Sequence, residues 1–315
     1  MTPPAITQRA TTQRARRFGI RPLSARVAQL DYPGRHRARR STALILAAVL
    51  LAATQVGVQL AAAKPAEAVS GLIRVVSGSL FDSNPVKTAN AVCPTGTVVI
   101  GGGGAINDLG FRTVRLTAMV PVGGGLNDFY RVTAMEPAGG FSLEWTVTAF
   151  ALCAHPLPGL EIVSRPTERT SGAFKHAIAR CPSGKRVLGT GGDTGLFPQV
   201  GLHLVRPDSP LTIGRASGRA DPGFTAAWFM RAYAVCANAV PGQQNQARVV
   251  NASTATVSCP AGTVVHGAGG GGGIVDLGPF FLVGVVPAAD LRSVTATMTG
   301  TPNQGGMVAQ ATCAN

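Results

Sequence analysis

Trp228, Met230, Ala232, Ala234 and Cys236 alternate with Phe229, Arg231, Tyr233 and Val235. A period of two residues is that of an extended strand with one face turned to a core. Small residues alternate in the same way at Ala89 and Ala91, at Ala177 and Ala179, and at Ala255 and Val257. A third strand type ends at Pro121, Pro207 and Pro287, with Leu116, Leu202 and Leu282 five residues earlier in each case. A fourth is the run TVVIG, KRVLG or TVVHG. No window carries the 3.6-residue period of an amphipathic helix. The pattern therefore predicts an all-β protein with about four strands in each of three units.

The three units come from the cysteines. Cys93, Cys181 and Cys259 are each followed by Pro and, three residues on, by Gly. The same register continues through Val99, Val187 and Val265, then Gly101, Gly189 and Gly267, then Gly103, Gly191 and Gly269. Cys153, Cys236 and Cys313 instead close an Ala-x-Ala-x-Cys-Ala pattern, with Trp145 and Trp228 eight residues before the first two and Gly305 in the third. These are repeats of roughly 80 residues, assigned to 69–160, 161–240 and 241–315. Six Cys allow 15 pairings. The parsimonious one lies within repeats: Cys93–Cys153, Cys181–Cys236 and Cys259–Cys313, with pairing between neighbouring repeats as the alternative.

Charge changes the picture only at the N-terminus. Residues 1–40 hold ten Arg and one Asp, whereas residues 69–315 hold 17 Lys and Arg against 12 Asp and Glu. The basicity thus belongs mainly to a leading segment expected to be disordered, and it gives no reason to expect nucleic acid as a partner. After Arg37, Arg39 and Arg40 comes STALILAAVLLAATQVGVQLAAA, then Ala66-Glu67-Ala68. Cations, an apolar run and a small-residue site form an export signal over 41–68. Uncleaved, residues 41–63 are long enough to span a bilayer, with the Arg cluster inside and the rest outside. The expected location is secreted, or membrane-anchored by 41–63. That segment is the only membrane contact expected. Disulfides persist in such a compartment.

Three repeats of four strands fit a β-prism, three sheets about a pseudo-threefold axis. A β-trefoil has repeats near half this length, and three tandem small β-sandwiches are the alternative. The CPxG…GGG and AxAxCA motifs resemble those of secreted bacterial repeat proteins of actinobacterial type. In outline the architecture is similar to β-prism proteins such as vitelline membrane outer layer proteins and jacalin-type lectins. The resemblance spans roughly residues 75–315 and implies a fold, not an activity.

Candidate chemistry is sparse, with charged residues only 13% of the chain. Gly267, Gly269 and Gly272 spell a G-x-G-x-x-G, but IVDLGPFFLVGVVP follows and reads as strand, not the helix a dinucleotide site requires. The bland reading is a bend or close backbone approach. Asp108, Asp193 and Asp276 each follow a glycine cluster. Asp beside Gly is ordinary turn chemistry; the functional reading makes them three equivalent rim sites for sugar hydroxyls. Glu136 and Glu144 are the one carboxylate pair that could serve a glycosidase. His155, His176, His203 and His266 lack metal-ligand spacing, and His266 stands where Ile100 and Leu188 stand in the other repeats. No cofactor, metal or catalytic residue is expected. The expected function is a non-catalytic secreted or surface module that binds a glycan. A structural or adhesion component of the envelope, acting through protein contacts, is the alternative, and a secreted hydrolase comes third.

Overall fold

A computed structural model of the chain describes residues 69–273, 280–301 and 305–315. Eighteen strands follow one another, all antiparallel in their pairings. The first repeat supplies β1 (Ile73–Gly78), β2 (Val86–Val92), β3 (Val98–Asn107), β4 (Arg115–Val122), β5 (Phe129–Met135) and β6 (Thr146–Ala154). The second supplies β7 (Glu161–Pro166), β8 (Phe174–Arg180), β9 (Lys185–Asp193), β10 (Val200–Pro207), β11 (Ile213–Ala220) and β12 (Arg231–Asn238). The third supplies β13 (Gln244–Val250), β14 (Thr254–Ser258), β15 (Val264–Gly272), β16 (Leu282–Pro287), β17 (Ser293–Met298) and β18 (Met307–Ala314).

These form three six-stranded sheets: β1-β6-β3-β16-β17-β14 (sheet I), β2-β5-β4-β9-β12-β7 (sheet II) and β13-β18-β15-β10-β11-β8 (sheet III). Strands one, six and three of each set of six join strands four, five and two of another set. The exchange runs around all three, consistent with three repeated β units. It rules out three tandem sandwiches, because no sheet is built from one repeat alone. The count also corrects the expected four strands per repeat to six. The first strands, β1, β7 and β13, sit at sheet edges and are mostly half-exposed, so no inward stripe marks them. Of the fifth strands, IGRASGRA and SVTATM mix Ala, Gly, Ser and Thr with few large apolar residues, and FYRVTAM is buried on both faces at its C-terminal end, which leaves little hydrophobic contrast.

The disulfides pair as the repeat motifs imply: Cys93–Cys153, Cys181–Cys236 and Cys259–Cys313. In each, the first Cys directly follows a sheet's edge strand and the second lies in the sixth strand of a different sheet. Each bridge therefore staples two sheets.

The glycine runs explain how three sheets meet. In β3, β9 and β15 the register slips by one residue, leaving Ile100, Leu188 and His266 as unpaired bulge residues. The next residue in each case is Gly101, Gly189 or Gly267. A Cβ on Gly101 would stand 2.6 Å from the His266 carbonyl oxygen, one on Gly189 2.4 Å from that of Ile100, and one on Gly267 1.9 Å from that of Leu188. The three contacts close a ring, so the strands approach at a distance only glycine allows. Around the ring the core is built from small and medium side chains, with Trp145, Trp228 and Tyr130 its largest members. Tyr130 lies in the first repeat and donates its hydroxyl to the Thr190 carbonyl of the second at 2.8 Å.

Candidate functional site

The G-x-G-x-x-G lies inside β15, hydrogen-bonded to β18 over its length, and no helix follows it among the described residues. Asp108 is 2% exposed, and its Oδ2 accepts the amides of Thr113 at 2.8 Å and Val114 at 3.3 Å. That carboxylate braces a loop whose Leu109 and Arg112 both take left-handed backbone angles, φ 58° and 57°. Asp193 accepts the Gly195 amide at 2.8 Å, the self-capping turn its sequence suggests. The two are not equivalent, contrary to the expectation from the motif. Asp193 ends β9 opposite Arg231, in the place that Ala105 takes opposite Thr148, whereas Asp108 lies three residues farther along its chain. Asp276 lies outside the described residues. No three His, Cys, Asp or Glu side chains come together as a metal site among the described residues.

Glu136 and Glu144 do not form a pair. Glu136 is buried, accepting Trp145 Nε1 at 2.9 Å and the Phe141 amide at 3.0 Å, while Glu144 is exposed. Trp228, the counterpart of Trp145, donates instead to the Gly172 carbonyl at 2.7 Å. Both indoles carry a lysine over the ring, Lys87 and Lys175, and both are fully buried. They are packing residues. His155 Nδ1 lies 3.2 Å from Ser70 Oγ. His203 Nδ1 lies 2.9 Å from the Phe280 carbonyl and Nε2 3.3 Å from that of Gly273. Burial lowers the pKa of His266, partly offset by its bond to the Val264 carbonyl at 2.9 Å.

What the motifs do not show is the chemistry of the outward sheet faces, because each face combines two repeats. At each seam a third strand meets a fourth through two residue pairs. The outward pair is Ala105–Gly284 in sheet I, Asp193–Ala118 in sheet II and Gly271–Leu204 in sheet III. Only sheet I has two such small neutral side chains there. A furrow of about 280 Å³ opens over them, with Asn107, Asp108, Arg112, Val286 and Thr297 on its walls. Arg112 Nη1 reaches across the seam to Ser253 Oγ at 2.9 Å and the Met298 carbonyl at 3.3 Å, fixing the loop that forms one wall.

Beside the furrow the outward positions are hydroxyls. Thr254 and Thr297 face each other with their oxygens 3.4 Å apart, Thr256 and Thr295 at 2.9 Å, and Ser258 pairs with Ser293. Thr148 lies beyond Ala105 on β6. Across the strands of this sheet Arg74 is the one outward charge, and its guanidinium sits 4.5 Å over the Phe150 ring. The signal in the sequence was the repeated T-x-T at 146–148, 254–256 and 295–297. It becomes a surface only once strands about 150 residues apart share a sheet.

The chain matches no protein-family model, and no curated protein matches it.

Proposed function

We propose that this chain is a non-catalytic module exported by residues 41–68, and that the furrow of sheet I binds a neutral glycan. The observation that supports this reading is the broken equivalence of the three seams. Two are occupied by larger or charged side chains, Leu204 in one and Asp193 in the other, and the third is left open by Ala105 and Gly284. An open groove with an apolar floor and a few fixed polar groups is the usual form of a small-ligand site. Asn107, Arg112 and Thr297 offer both donors and acceptors, as sugar hydroxyls require. The three disulfides fit an oxidising compartment. No helix among the described residues is long and apolar enough to cross a membrane; the candidate anchor at 41–63 lies outside them.

The test is a glycan array probed with the wild type and with Gly284→Leu, which places on sheet I the residue that fills sheet III. A Cβ at Gly284 meets nothing nearer than 3.4 Å, so the variant is expected to fold. Binding by the wild type that the variant loses is the expected result. No glycan binding by either, with normal retention at the cell surface, would replace this reading with that of a structural envelope component.

A further inference from the structure

Sheet III departs from the other two faces in a different way. Arg206 of β10 and Arg215 of β11 are direct cross-strand partners. Their neighbours Val205 and Ala216 are buried in the core, so both arginines point outward. Like charges directly opposite each other repel. The corresponding pairs are Val120–Arg131 in sheet II and Val286–Thr295 in sheet I. Only sheet III sets two cations against each other there.

Among the described residues no carboxylate pairs with them. The ion pairs among the described residues are Lys87–Asp82, Arg115–Asp221 and Lys185–Glu161. Asp208, just past the end of β10, acts on Arg206 only through space. Its own oxygens accept the amides of Thr212 at 2.7 Å and Ile213 at 2.9 Å and the Thr212 hydroxyl at 2.9 Å. Arg206 is nevertheless held in place. Its Nη1 donates to Gln310 Oε1 at 3.4 Å, and Gln310 is itself fixed through Nε2 to the Pro207 carbonyl and to Asn245 Oδ1.

The next rank on the same face pairs His176 with Ser217. Arg206 Nε, His176 Nδ1 and Ser217 Oγ are all buried and without a hydrogen-bond partner. Buried polar atoms of this kind are uncommon, and each is a free-energy cost unless another group meets it. Burial first, then Arg215 and Arg206, lowers the pKa of His176. Beyond Arg215 on its rank lies Ile178, at the margin of a groove of about 730 Å³. Arg165 and Arg180 also line that groove, and the carboxylate of its Glu161 is engaged by Lys185.

We propose that the outward face of sheet III binds a phosphate group, its oxygens held by Arg206, Arg215 and the unpartnered donors beside them, with the groove past Ile178 taking the continuation of a phosphodiester chain. An oxyanion removes the repulsion and satisfies the orphaned donors together, and arginine's fork suits phosphate geometry. This site is independent of the furrow on sheet I.

The test titrates the purified full-length chain with inorganic phosphate and, separately, with poly(glycerol phosphate), following binding by calorimetry and Tm by thermal unfolding. Variants Arg206→Ala and Arg215→Ala are compared with Arg186→Ala, an exposed cation elsewhere that lowers net charge equally. Phosphate is expected to raise the Tm of the wild type and of Arg186→Ala. Arg215→Ala should weaken binding at least tenfold while raising the Tm of the ligand-free protein, because the repulsion is gone; an arginine with only a packing role would lower it. Absence of any response in the wild type, or undiminished binding by Arg215→Ala, overturns the site. Tighter binding of the polymer per phosphate, lost in Arg165→Ala/Arg180→Ala, assigns the source to a phosphodiester chain. Equal binding assigns free phosphate and overturns the role given to the groove. Gly284→Leu is expected to leave all of these responses unchanged.

Discussion

The carbonyl oxygen of Leu188 fills the space that a side chain on Gly267 would need, 1.9 Å from where its Cβ would lie. Equivalent contacts join Gly101 to His266 and Gly189 to Ile100, so a substitution at Gly267 forces apart β15 and β9, strands of two different sheets. Backbone blocks each Cβ, and no flexible side chain can give way. Gly267→Ala is expected to cost about 3 kcal/mol by overpacking. Gly284→Ala, where the added atom meets only ordinary contacts, should cost less than about 1 kcal/mol. Urea unfolding of both variants checks the ring, and similar midpoints for the two would count against it.

Glu136 and Trp145 give a second prediction. The carboxylate accepts two N–H groups, one through each oxygen. Glu136→Gln keeps the shape but turns an amide NH₂ toward one of those donors, leaving it without an acceptor. The expected loss is about 1–3 kcal/mol of stability, with altered tryptophan fluorescence. Glycan and phosphate binding should not change. A variant as stable as the wild type would mean that this hydrogen-bonded cluster contributes nothing to the fold.

The all-β class, the three units and the cysteine partners were all legible along the chain, since each rests on residues close in sequence or on repeated motifs. The edge strands β1, β7 and β13 were not, because a strand with one unpaired side and half-exposed residues leaves no alternating stripe. Nor was the exchange of strands between repeats. Nothing in the spacing of Ala105 and Gly284 says that they face each other; the pairing of β3 with β16 decides it. The same holds for Arg206, Arg215 and His176, drawn from three strands of one face. Asp108 stood out by motif and proved to be bracing the loop that walls the furrow, whereas Ala105, Gly284, Arg206, Arg215 and His176 carry no motif of their own.

Each disulfide closes a chain separation of 54 to 60 residues and joins two sheets. In the chain-entropy model, removing one costs on the order of 4 kcal/mol. Cys181→Ala/Cys236→Ala is therefore expected to shift unfolding strongly toward lower urea, and reduction of all three bridges should unfold the protein near room temperature. The measurement is urea unfolding with and without reductant. A double variant within about 1 kcal/mol of the wild type would show that strand pairing between repeats, not the staples, holds the sheets together.

His266 links the glycine ring to pH. It stands in the bulge position held by Ile100 and Leu188, is fully buried, and leaves Nε2 without a partner. Burial lowers its folded pKa below the ordinary histidine value of 6.5. The unfolded chain therefore takes up the proton first as pH falls. The sign follows from linkage: stability is full above about 6.5 and declines below it, by up to about 1.4 kcal/mol per pH unit until the folded value is reached. His176 shifts in the same direction and adds to the slope, most of all without an anion on sheet III. His266→Leu installs the residue that repeat two uses at this point, removing both the titration and the orphaned nitrogen. It is expected to raise stability at pH 5 more than at pH 7.5 and to flatten the profile between them, read by urea unfolding at each pH. An equal gain at both pH values would mean that His266 acts through packing alone and that the acid sensitivity lies elsewhere.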